Sequence, residues 1–219
     1  MYLHLPATGT DLLRRILPHV STFFAALLVL LTALTGAPDL RTRSASPPHP
    51  SGGTVTAIDR PIRGVLKNAR IEIFKSKRLL ELYNGKELVR AYHVGLGFDP
   101  VTRKTRMGDG ATPEGNYYVC RKNPYSRFYL SLGLSYPNEH DAKDGLERKL
   151  ISRAEYKRIA RACKNRTCPP WNTKLGGTIF IHGNGSFFDW TLGCIALDDW
   201  NMKELYNAVP LGTPVIIHP

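Results

Sequence analysis

The sequence predicts a mainly β domain with a few helices. Three observations carry this: strict alternation in Ala69–Phe74, a tight-turn pair Asn84-Gly85 between two apolar-rich runs, and helical spacing confined to two stretches of the second half. At 219 residues, with 42% hydrophobic and 22% charged, the chain can bury one well-formed core.

Residues 1–37 read differently from that domain. Arg14 and Arg15 precede an apolar run from Val20 to Leu34, shorter than the roughly 20 residues needed to span a bilayer. Thr35-Gly36-Ala37 offers small residues for signal-peptidase cleavage, so the segment is expected to export the chain. Extension back through Ile16 and Leu17 keeps an uncleaved inner-membrane anchor as the alternative, with a periplasmic location in either case. Residues 38–57 are rich in Pro, Ser and Gly and too poor in apolar side chains to join a core, which makes them a linker. The folded domain is therefore expected over 58–219.

Within it, Ala69–Phe74, Arg78–Tyr83 and Lys86–Val94 read as a β-meander, and Gly115–Cys120 and Phe128–Leu134 as further strands. Ser152 and Glu155 have capping-box spacing and open a helix to Lys164. Thr178–Ile181 reads as a buried strand. A second helix starts at Asp198 or Asp199, with Met202, Leu205, Tyr206 and Val209 on one face, and Val215–Ile217 supplies the last strand.

The formal charge of +12 is scattered, accompanies no nucleic-acid motif and belongs to an exported chain, so no nucleic-acid partner is expected. Four cysteines in an oxidising compartment make disulfides the first expectation. Cys163 and Cys168, flanking Lys-Asn-Arg-Thr after the helix, are the candidate pair, and Cys120 is expected as a buried small hydrophobe. Paired C-x2-C spacing is missing, so no metal site is expected.

The chemistry concentrates at 179–197. A strand delivers His182-Gly183, and Gly193 precedes Cys194. A thiol of ordinary pKa, about 8.5, stays protonated at neutral pH unless a neighbouring imidazole takes the proton. The Gly183 carbonyl could hold the other imidazole N–H, amides around Gly193 and Cys194 could face an oxyanion, and Trp190 and Thr191 could line the cleft. By spacing alone, a buried cysteine and a structural histidine compete with this reading. Packing is expected for Tyr129, Tyr136 and His93, and a turn role for Glu114.

His182-Gly183 followed by Thr191-Leu192-Gly193-Cys194-Ile195 resembles the signature of the L,D-transpeptidase catalytic domain family, His-Gly and then Ser/Thr-x-Gly-Cys. Lys75-Ser-Lys-Arg78, Gly108–Tyr117 and Tyr129–Asn138 are similar to blocks of its Gram-negative branch. The resemblance implies a β-sandwich with peripheral helices and no metal or organic cofactor. It also implies a Cys194 nucleophile, a His182 base oriented by Gly183, and Gly193 in the oxyanion turn. The implied substrate is a peptidoglycan stem peptide containing meso-diaminopimelate; its acyl group passes to an acceptor amine or, in hydrolytic members, to water. Many members carry His before the Gly-Cys and Arg two residues after the Cys, where this chain has Leu192 and Ala196. That difference leaves transferase, hydrolase that releases peptide or protein from the wall, and silent peptidoglycan-binding domain as the three readings.

Overall fold

The computed structural model describes residues 61–219. The expected signal or anchor and the expected linker lie outside the described residues.

The strands are β1 (Ala69–Phe74), β2 (Leu79–Asn84), β3 (Glu87–His93), β4 (Gly115–Ser126), β5 (Tyr129–Leu134), β6 (Phe180–His182), β7 (Ile195–Ala196) and β8 (Pro214–His218). The helices are α1 (Glu139–Glu147), α2 (Arg153–Lys164) and α3 (Asp199–Ala208). The fold is mainly β, one sheet in the order β3-β2-β1-β8-β4-β5-β6-β7. β1–β8 and β6–β7 pair in parallel, and the other neighbours antiparallel.

The length of β4 makes the sheet curl. Its Gly115–Tyr118 end pairs with β8 and its Val119–Ser126 end with β5, so a single strand passes from one half to the other. Beyond β3, Gly95 exchanges two backbone hydrogen bonds with Ala196 of β7, at 2.9 and 2.8 Å, and the two ends of the sheet meet. Alternation then has a physical meaning: Ile71, Ile73, Leu80, Leu82, Leu132, Leu134, Ile181 and Val215 all face one enclosed core. Met202 and Leu205 of α3 join that core, and Tyr136 is buried there with its hydroxyl donating to the Leu175 carbonyl, as packing requires.

α2 begins as the spacing predicts, with Ser152 and Glu155 forming a complete capping box. α1 was not foreseen; Asn138 and Asp141 cap it in the same way. Ala142, Ile151, Ile159 and Leu175 form a second, smaller core where the two helices pack. Among the described residues, no helix is long and apolar enough to cross a membrane.

The cysteine pairing differs from expectation. Cys168 is bonded to Cys120, not to Cys163. Cys163 stays in the last turn of α2, packed against the smaller core, while the turn after the helix carries Cys168 across to β4. There the β4–β5 register shifts between Val119 and Arg121, and such an irregularity re-aims the side chain it contains. Cys120 is thus a cross-link and not a packing residue, and Cys163 is free along with Cys194.

Candidate active site

β6 and β7 pair in parallel with His182 opposite Ala196. Cys194, one residue before β7, therefore stands opposite Phe180. Because side chains alternate across a strand, the thiol and the imidazole are diagonal neighbours on one face of the sheet.

His182 is 2% exposed, and its Nδ1 lies 2.7 Å from the Gly183 carbonyl oxygen. A carbonyl can only accept, so Nδ1 carries the proton and Nε2 keeps its lone pair. Burial pushes the imidazole pKa down, against a smaller upward pull from that hydrogen bond, and favours the neutral ring. The Cys194 thiol is half-buried. Burial pushes its pKa up, while the Phe180 N–H and the Lys104 charge pull the other way. Its sulfur accepts from the Phe180 N–H at 3.4 Å and donates to the Thr178 carbonyl at 3.5 Å. Among the described residues, no hydrogen bond joins this thiol to the imidazole.

The turn before Cys194 is tightly specified. Gly193 has φ +119°, and a Cβ there would lie 2.5 Å from the Ala111 carbonyl oxygen, so both conformation and space call for glycine. The buried Thr191 hydroxyl donates to the Cys194 carbonyl at 2.8 Å and accepts the Gly193 N–H at 3.1 Å. This alters the expected oxyanion turn: the Gly193 amide is already engaged, which leaves the Cys194 amide as its free donor. Leu192 is 76% exposed beside it.

An aromatic wall encloses the imidazole. Phe128 stacks on His182 with centroids 4.7 Å apart, Trp190 meets the ring edge-on at 5.6 Å, and Phe128 and Trp190 pack edge to face at 5.7 Å. The Trp190 indole N–H donates to the Gly185 carbonyl at 3.1 Å. Sequence reasoning marked Trp190 but missed Phe128, whose place in a run of strand formers hid a two-residue turn, Arg127-Phe128, between β4 and β5. That turn is fastened to the end of β6, since the Gly183 N–H donates to the Phe128 carbonyl at 3.0 Å. A Cβ on Gly183 would stand 2.4 Å from Asp199 Oδ1 and 3.2 Å from the Phe128 carbonyl oxygen, so a larger residue would have to displace the Asp199 carboxylate.

Buried charges hold the surrounding loops. Lys75, 1% exposed, donates to the Thr102 carbonyl at 2.9 Å and to Glu114 Oε1 at 2.5 Å. Buried Lys104 donates to Asp109 at 2.8 Å, and Asp109 also accepts the Thr105 and Arg106 amides. Arg78 pairs through two nitrogens with Asp189, which also accepts the Leu96 N–H at 2.8 Å. Asp198 and Asp199 accept the Ser186 and Asn184 amides, tying the loop after His182 to the start of α3. Glu114 is thus an ion-pair partner as well as a turn residue, and exposed His93 has its Nδ1 3.4 Å from the Ser186 hydroxyl. Among the described residues, no group of three His, Cys, Asp or Glu side chains could hold a metal ion.

Residues 68–217 match the YkuD family, the L,D-transpeptidase catalytic domain. Over 87 residues the chain is 34% identical to the Escherichia coli K12 protein named "Putative L,D-transpeptidase YafK", a match covering 37% of this chain and 35% of that one. The chain therefore spans about a third of the length of that curated relative. Among solved structures it is similar to the helical cell shape determining protein Pgp2 of Campylobacter jejuni, with 26% identity and a TM-score of 0.49 over 68% of this chain and 46% of that one. It is also similar to the L,D-transpeptidase of Xylanimonas cellulosilytica DSM 15894, with 16% identity and a TM-score of 0.43 over 73% and 64%.

Proposed function

The chain belongs to the L,D-transpeptidase catalytic domain family, and from that premise we propose that it is an exported peptidoglycan L,D-transpeptidase with Cys194 as nucleophile and His182 as base. The observation that carries the reading is the buried, neutral imidazole: its Nδ1–H is fixed on the Gly183 carbonyl, and it shares a sheet face with the thiol.

The chemistry follows from those two groups. As a stem peptide docks, the thiol leaves the Thr178 carbonyl and gives its proton to Nε2 of His182, while sulfur attacks the peptide carbonyl. The Cys194 N–H stabilises the oxyanion, in a turn braced by the Thr191 hydroxyl. Collapse forms the thioester, breaks the C–N bond and returns the proton from His182 to the departing amine. An acceptor amine then attacks the thioester, His182 takes its proton, and the thiol is regenerated with a new amide in place. Water in the acceptor's role gives hydrolysis. Ala196 is fully buried and Leu192 is 76% exposed, and neither apolar side chain can donate a hydrogen bond to the substrate.

The test is product mass. The full chain, purified in detergent, is incubated with tetrapeptide-bearing muropeptides and an acceptor amine, with Cys194→Ala as control. We expect a thioester adduct on the protein and cross-linked or exchanged products, both absent from the variant. Shortened products alone would make the chain a hydrolase; turnover that survives Cys194→Ala would overturn the assignment of the nucleophile.

A further inference from the structure

Ala196, two residues after Cys194, presents only a methyl group on the sheet face it shares with the thiol. It is 0% exposed, paired with His182 and bonded through its backbone to Gly95, so the methyl group offers a carboxylate nothing. If the substrate's carboxylate is recognised, the cation must come from elsewhere in the cleft.

Most cations around the site are engaged. Lys75 is paired with Glu114, Arg78 with Asp189, Lys104 with Asp109, and Arg103 with Asp141. Arg127 is different. Among the described residues it has no carboxylate partner and no hydrogen bond, and its guanidinium lies 5.1 Å over the Phe128 ring. Phe128 in turn stacks 4.7 Å from His182, so the guanidinium is within about 10 Å of the imidazole, with an aromatic ring between them.

The backbone explains why this arginine is held there. Arg127 and Phe128 are the two residues of the β4–β5 turn, since Ser126 pairs directly with Tyr129. The turn is braced by the Ser126 hydroxyl on the Phe128 N–H at 3.1 Å, and by the Gly183 N–H on the Phe128 carbonyl. It closes through Tyr129 at φ +68°, a left-handed conformation uncommon for a residue with a large side chain. An exposed arginine is thus carried on a turn fixed to the end of the strand that bears His182. Stacking on Phe128 limits its rotamers while leaving its N–H fork free, which lowers the ordering cost of binding a carboxylate.

We propose that Arg127 is the specificity-determining anchor for a free carboxylate of the stem peptide. The proposal rests on the peptide-substrate reading above. Two carboxylates have this chemistry: the C-terminal one of the residue that leaves, and the one on the side chain of the diamino acid.

Binding separates this from the catalytic assignment. Affinity for a free tetrapeptide stem, and for two analogues each amidated at one of those carboxylates, is measured by calorimetry on full-length Cys194→Ala protein. The same is done with Arg127→Gln, Arg127→Lys and, as a charge control on the strand that leads into the turn, Arg121→Gln added. We expect Arg127→Gln to weaken the free peptide by about tenfold or more, Arg127→Lys to recover part of the loss, and Arg121→Gln to change little. One amidated analogue should bind the Arg127 parent as weakly as the free peptide binds Arg127→Gln, and lose nothing further on that substitution. Which analogue does so identifies the carboxylate. Equal weakening of the free peptide and both analogues would reduce Arg127 to a structural support of the turn. No weakening, or tight binding that ignores both carboxylates, would overturn the proposal. If Cys194→Ala still turns substrate over, the catalytic assignment fails while the Arg127 result stands.

Discussion

Burial acts on His182 and Cys194 in opposite senses. It pushes the imidazole pKa below its ordinary value and the thiol pKa above its own, so at pH 7 both groups are neutral. An imidazolium–thiolate pair would react with iodoacetamide at a nearly constant rate across the mildly acidic and neutral range. Here Cys194 alkylation, followed by mass spectrometry, should be slow at pH 7 and climb only in the alkaline range. Turnover should behave differently at the acid end. The base works only after losing its proton, and its pKa is depressed, so the acid limb of kcat/KM should have its midpoint below the ordinary imidazole value. Gly193 carries a different constraint, because a methyl there meets the Ala111 carbonyl at 2.5 Å in a backbone conformation with φ +119°. Gly193→Ala should lower unfolding free energy by about 3 kcal/mol in urea titrations, and turnover by at least about a hundredfold, because the turn that aims the thiol must shift.

At the scale of elements, the readable ones carried a local signal. α2 was legible because Ser152 and Glu155 satisfy its first amides reciprocally, a feature written in four adjacent residues. Ser152→Ala should cost about 1 kcal/mol of stability, measured by thermal or urea unfolding, and leave turnover within twofold, since α2 packs on α1 and not on the strands of the site. α1 escaped notice because Glu139–Glu147 is polar and contains Gly145, so its helical state depends on Asn138 and Asp141 at the start and on packing against Leu175. β7 escaped because it is only Ile195–Ala196, a strand defined by its neighbours β6 and Gly95 and not by any periodicity. β4 runs six residues beyond the expected Cys120, through Lys122, Asn123 and Pro124, residues with weak strand preference, of which Lys122 and Asn123 pair with Leu132 and Ser131 of β5.

Across the whole molecule, the Cys120–Cys168 bond links β4 to the segment after α2 over a sequence separation of 48. Closing a loop of that length restricts the unfolded chain far more than a bond between Cys163 and Cys168 would. Cys168→Ser should therefore lower unfolding free energy by about 4 kcal/mol, whereas Cys163→Ser should change it little. Peptide mapping without reductant should recover Cys120 and Cys168 in one linked pair. Cys163 should be recovered as a free thiol that labels on unfolding, since it is half-buried against the smaller core.

Local order in the chain was enough to identify the β-rich domain, the caps of α2 and the strand that leads into His182-Gly183. Each of these depends on neighbours within a few positions, where periodicity and side-chain-to-backbone hydrogen bonds act. The partner of Cys168 and the stack of Phe128 on His182 were settled only in three dimensions. They depend on how a twelve-residue strand crosses from one half of a curled sheet to the other, a geometry fixed by packing of the common core and encoded in no single segment.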